Sequence, residues 1–212
     1  CDRRRDHRDE RADVRLGAVA MLVQRGLAFE GQQGVAEGMM IGAELGLSPG
    51  VIGLRVRVLG GELKPRGDSS RLAAIKLGDV DARLGLRSGV VEIEGGVSRR
   101  VQQGELSTVT FNAARVGFRI EASAGRIPLY FAASGAYVPY LRSSNPPISG
   151  TAVEIETSLQ LRSARLPIWL MIGYRLERRS LPGLSLEQPE QLAGVLFGGG
   201  LAMHKSPASR PR

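Results

Sequence analysis

From Asp13 onward, apolar and polar positions alternate with a period of two, the signature of strands that present two chemically different faces. Around residues 51–60, Ile52, Leu54, Val56 and Val58 share one face, and Gly53, Arg55 and Arg57 share the other. Val153, Ile155, Leu159 and Leu161 oppose Glu154, Glu156, Ser158, Gln160 and Arg162 in the same way. A helix would scatter these sets around its circumference. The pattern recurs with Val80, Ala82, Leu84 and Leu86 against Asp79, Asp81, Arg83 and Arg87. After a tight turn at Ser88 and Gly89 it continues with Val91, Ile93 and Val97 against Glu92 and Glu94, which predicts a hairpin with both polar rows on one face.

Ten strands are predicted, near 14–24, 34–47, 51–60, 75–87, 90–98, 107–121, 128–141, 151–162, 166–178 and 191–203. The segments 14–24 and 128–141 look extended but do not declare their faces. Every odd-numbered connection is read as longer than its even neighbours. The organisation expected is a charged lead-in over 1–12, one β domain over 13–203 and a short basic tail over 204–212.

Alternation alone does not say which face points inward. The longest uncharged run, between Arg126 and Arg142, is interrupted by Pro128 and Pro139, so no helix of about 20 apolar residues is available to cross a membrane. Closed barrels cross with strands of about 9 to 11 residues. Gly38, Gly42, Gly46, Gly53, Gly85, Gly96, Gly117, Gly173, Gly198 and Gly200 all fall on the charged face. Glycine weakens a solvent-exposed strand, but it leaves room in a narrow lumen that also holds arginines.

Even strand number, dyad alternation, and long loops alternating with short turns resemble the small bacterial outer-membrane barrels of the OmpA transmembrane-domain and OmpX kind, here with about ten strands. The resemblance implies an all-β fold, a closed antiparallel up-and-down transmembrane β-barrel, in the bacterial outer membrane. It also implies a lipid bilayer as partner, a monomeric state, and lipopolysaccharide contact through basic loop residues Lys64, Arg66, Arg71, Arg99, Arg100, Arg178 and Arg179. Barrels of that class end in a strand read by the assembly machinery. Gly198, Leu201 and Met203 match its spacing, while Leu196 stands where that signal carries a polar residue and His204 to Arg212 extend past its usual end.

The formal charge of +8 suggests a nucleic-acid surface until the charges are placed. Lysine occurs only at 64, 76 and 205, so arginine dominates, and most strand arginines alternate with acids rather than forming a stripe of one sign. No nucleic-acid partner is expected. Aromatic residues are 5% of the chain, enough for partial interfacial belts from Trp169, Tyr174, Tyr130, Phe131, Tyr137 and Tyr140.

The polar face holds Glu44, Arg55, Arg57, Asp79, Asp81, Arg83, Glu92, Glu94, Arg115, Arg119, Glu154, Glu156, Arg175 and Glu177. Neighbouring strands carry opposite signs, so these groups are expected to pair across a lumen only modestly wider than an eight-stranded one. The functional expectation is a structural or narrow-pore membrane protein with a charge-laced lumen. The alternative is a soluble barrel or sandwich whose apolar face lines a pocket for a small apolar ligand. No enzyme, cofactor or metal is expected. One cysteine and two histidines, His7 and His204, form no metal-ligand cluster, and neither histidine lies where a barrel enzyme would place its base.

Overall fold

The computed structural model describes residues 12–29, 32–67, 74–104, 107–124, 127–144, 147–162, 166–182 and 189–205. Ten strands follow one another: β1 (Ala12–Phe29), β2 (Gln32–Ser48), β3 (Ile52–Pro65), β4 (Ile75–Ser88), β5 (Val91–Gln103), β6 (Thr108–Ser123), β7 (Leu129–Ser143), β8 (Ser149–Arg162), β9 (Ile168–Ser180) and β10 (Glu190–Lys205). Each pairs antiparallel with its sequence neighbours, and β1 pairs with β10, so the sheet closes with no free edge. Followed around the ring from Val14 through Leu47, Leu54, Leu84, Gly95, Val116, Tyr137, Val153, Arg178 and Gln191, the register returns to β1 at Gly26, a shear of twelve residues. Ten strands with that shear tilt roughly 40° from the axis and stand roughly 10 Å from it.

The apolar face is the outer one. Leu16, Ile41, Val58, Leu84, Ile93, Phe118, Ile155 and Leu170 are all exposed, whereas Arg57, Asp81, Arg83, Glu94, Glu156 and Arg175 are buried. This overturns the soluble alternative, because the apolar row lines no internal pocket and the charged row does not meet bulk water. On β2, β3, β8 and β9 the outward apolar run covers about eight residues, and at this tilt it is roughly 20 to 25 Å tall, the height of a hydrocarbon band.

At one end the band stops at a polar ring: Gln24, Glu37, Glu62, Lys76, Arg99, Asn112, Arg142 and Arg178 are all exposed. The strands continue past this ring, which corrects the expectation about connections. The β1–β2 connection is only residues 30–31, shorter than the 49–51 turn at the other end, and the β5–β6 connection is 104–107. The polar segments 25–33 and 99–106, read as long loops, are largely strand that projects beyond the band, whereas the connections after β3 and β9 keep nine residues each, 66–74 and 181–189. At the opposite end, Gly50 and Gly89 adopt φ of 65° and 62° in the tight turns.

The interior has two unlike halves. One wall, built by β9, β10, β1, β2, β3 and β4, packs Trp169, Met171, Leu196, Val19, Met21, Met40, Leu59, Leu63 and Leu77 into an apolar cluster. The rest is charged, apart from a smaller cluster of Phe111, Val138, Leu141, Ala152 and Leu181 toward the polar-ring end. Trp169 and Tyr130 therefore do not belong to an aromatic belt: Trp169 is buried in the lumen and Tyr130 lies under the Arg162 guanidinium. Phe131, Tyr137, Tyr140 and Tyr174 stay on the outer wall.

Most inward glycines answer to the neighbouring backbone rather than to the arginines. A Cβ on Gly42 would overlap the carbonyl oxygen of Val58 on β3; Gly53 and Gly85 would meet a charged side chain end-on, the Glu92 carboxylate, and Gly46 would touch the Arg15 guanidinium. Gly42→Ala is expected to weaken β2–β3 pairing by about 1 to 3 kcal/mol, the range for overpacking, read as a lower urea midpoint of unfolding. An unchanged midpoint would show that the strands can part at no cost.

Candidate functional site

Inward side chains come from alternate residues of every strand, so the tilt and shear decide which charges share a level. Around the middle lie Arg57, Arg83, Arg115 and Arg175 with Glu44, Asp81, Glu94, Glu154 and Glu156. Arg57 of β3 accepts no compromise between walls: its Nε donates to Glu44 Oε2 at 2.7 Å on adjacent β2, while Nη1 and Nη2 donate to Glu156 of β8 at 2.8 and 2.9 Å. In a ring of ten, β3 and β8 are diametrically opposed. The bidentate pair therefore bridges the full bore, and its fork geometry fixes both side chains.

Other pairs share this level. Arg83 contacts Asp81 at 2.7 Å, Glu94 at 3.1 Å and Glu154 at 3.5 Å. Arg115 reaches Glu154 at 2.6 Å and Asp81 at 3.1 Å, and Arg175 of β9 lies 3.7 Å from Asp79 of the opposite strand β4. The space among Arg55, Arg57, Asp81 and Arg83 does not admit a water molecule.

Toward the polar-ring end, Arg100 holds Asp79 and Glu177, both at 2.8 Å. Arg179 pairs with Glu177, and Arg25 spans from β1 to Glu190 at 2.6 Å and Gln102 at 3.2 Å. Toward the tight-turn end stand Arg15, Arg55, Arg87, Arg119 and Arg162 with Asp13, Glu92 and Glu121.

All fourteen sequence-derived lumen residues point inward. Eleven of them join the paired network described for the middle and polar-ring levels, while Arg55, Glu92 and Arg119 lie toward the tight-turn mouth. The lumen also holds Arg15, Arg25, Arg100, Glu121, Arg179 and Glu190, which the sequence reading does not assign to it, and Arg162, which that reading puts on the polar face without including it in the charge set. Parity points to them, since Arg100 lies two beyond Ser98 and Glu121 two beyond Arg119: Arg25, Arg100, Arg179 and Glu190 fall just outside the predicted strand bounds, Arg15 lies in a segment whose pattern declares no faces, and Glu121 and Arg162 are the last residues of predicted strands. Arg100 and Arg179, read as loop residues available to lipopolysaccharide, are buried in the lumen instead. Lys64, Arg66, Arg99 and Arg178 are exposed as expected, and Arg71 lies outside the described residues.

In the last strand, Gly198 faces in, where a Cβ would press on Trp169 and Met171, while Leu201 and Met203 face out. Leu196 is fully buried in the apolar cluster, which gives it a packing role that a polar residue would not fill. Among the described residues, no group of His, Cys, Asp and Glu is arranged to hold a metal ion. On the outer wall, a groove of about 650 Å³ runs over β9, β10, β1 and β2 below the polar ring. Leu22, Met39, Tyr174, Ala193 and Val195 are among its lining, and Glu37 and Arg66 stand at its rim.

No protein-family model matches the chain, and no curated protein sequence matches it. Among solved structures, it is similar to Neisserial surface protein A, with 8% identity, a TM-score of 0.47, and coverage of 87% of this chain and 94% of that one. The translocator domain of the autotransporter NalP from Neisseria meningitidis gives 12% identity and a TM-score of 0.47, covering 92% and 89%. The outer membrane protein AlkL, solved in DMPC lipid bilayers, gives 11% identity and a TM-score of 0.39, covering 96% and 94%.

Proposed function

We propose that this chain is a non-enzymatic outer-membrane barrel whose role is structural, with a lumen held shut by ion pairs rather than open as a pore. The observation that supports it is the Arg57–Glu156 bridge across the full diameter, at the level where Arg83, Arg115 and Arg175 fill the remaining width. A diffusing ion would have to displace paired, buried charges, each of which is expensive to strand. The apolar outer band and the polar interior leave a bilayer as the surrounding that satisfies both faces at once.

In this reading the tight-turn end faces the periplasm and the polar ring faces outward. Gly198, Leu201 and Met203 then form part of the strand the assembly machinery reads, and the barrel acts as a monomer. The outer-wall groove would seat an acyl chain of lipopolysaccharide, with its phosphate near exposed Arg66 and Lys64. Recording across a planar bilayer tests the closed lumen. Insertion is expected without steady nanosiemens-scale openings, and Arg57→Ala is expected to admit small, noisy currents. Stable large openings of the unmodified protein would overturn the proposal.

A further inference from the structure

We infer that the tight-turn mouth of the lumen is a binding site for a phosphate-type oxyanion from solution. Among the described residues the arginines there outnumber the acids five to three, whereas the middle level leans acidic and the polar-ring level is balanced. Glu121 is divided among three guanidiniums, Arg162 at 2.8 Å, Arg119 at 3.2 Å and Arg87 at 3.6 Å. A carboxylate has about four lone-pair sites and one negative charge, so it cannot neutralise three cations.

Arg55 makes the deficit sharper. Its Nη1 is buried and has no hydrogen-bond partner among the described residues. Arg119 is repelled by both Arg55 and Arg15, and Arg15 by both Arg162 and Arg55, so the cations crowd one another from β1, β3, β6 and β8. A buried charged donor left without an acceptor is costly. Arg15 and Arg55 are only partly buried, which leaves the cluster reachable from the mouth. Guanidiniums converging from several walls suit a tetrahedral oxyanion with acceptors on all sides, and the barrel wall separates the site from lipid headgroups.

Thermal unfolding of the full chain refolded in detergent, in inorganic phosphate or in chloride at equal ionic strength, tests this. Phosphate is expected to raise the midpoint saturably. In Arg55→Gln the phosphate dependence is expected to weaken roughly tenfold or more in concentration, and Arg25→Gln at the opposite mouth keeps it. In chloride alone, Arg55→Gln is expected to match or exceed the unmodified protein, because a stranded charge has been removed. Equal midpoints in the two salts, or a phosphate response that survives Arg55→Gln, would overturn the inference. Should Arg55→Gln fail to fold, Arg87→Gln at the more exposed edge carries the same comparison, and an unchanged phosphate response there would overturn it equally. Neither result depends on whether the lumen conducts.

Discussion

Arg57→Ala is expected to destabilise the barrel by about 3 to 5 kcal/mol, the cost of breaking a buried ion pair by removing one partner. The loss is at the top of that range because two carboxylates, Glu44 and Glu156, are left in the lumen without the cation both of them hold. The sign depends on which groups remain. Arg57→Met combined with Glu44→Gln and Glu156→Gln removes the whole charged triad and is expected to recover most of the loss, since a buried pair contributes little net stability against neutral groups of similar size. Urea unfolding of protein refolded into lipid vesicles measures both. A single variant within about 0.5 kcal/mol of the parent would mean the lumen is wet enough to solvate the stranded acids.

Leu84→Arg is the second large effect. Leu84 sits mid-band on the outer wall of β4 and is 59% exposed. By surface logic the substitution is harmless, because changes at exposed sites usually stay within about 0.5 kcal/mol. In a bilayer it is expected to cost about 2 to 4 kcal/mol, the penalty for arginine near the midplane of a barrel's lipid face. Gln103→Arg, outward on β5 beyond the polar ring, is expected to stay within about 0.5 kcal/mol in the same vesicles. Equal effects at the two positions would remove the band from the membrane.

The strand count and the sidedness of most strands were legible because a half-buried strand must alternate, and within the apolar band β3, β4, β5, β8 and β9 carry charges on the inward parity only, the outward charges Glu62, Lys64, Lys76, Arg99 and Arg178 lying at or beyond the polar ring. β1 was not legible. Its inward Val19, Met21 and Val23 belong to the apolar wall of the lumen while its outward Leu16 and Leu22 face away, so both faces are apolar and no alternation survives. β7 was obscured differently. Pro139 lacks an N–H, and the register shift between Val138 and Leu141 accommodates it, moving Leu141 and Ser143 inward out of step with Ala132, Ser134 and Ala136. The charged lumen was readable as a row of residues, but its cross-bore pairing was not. That Arg57 meets Glu156 follows from closure into ten strands, which places β3 opposite β8, and no local pattern records it.

The sparse aromatics now have a physical place. Trp169 anchors the interior cluster, Phe111 packs in the smaller one and Tyr130 stacks on Arg162 at 4.3 Å, so three of the few aromatic rings serve the lumen, and the outer wall keeps Phe118, Phe131, Tyr137, Tyr140, Tyr174 and Phe197.

Trp169 is the chain's single tryptophan, and its neighbour Leu170 faces the opposite way, 53% exposed against 2%. Fluorescence quenching by bromine-labelled lipid chains therefore tests the inside-out arrangement directly. The unmodified protein in such vesicles is expected to be quenched weakly, and the Trp169→Phe, Leu170→Trp variant strongly. Equal quenching of the two, or stronger quenching of Trp169, would contradict an apolar wall facing lipid around a closed interior.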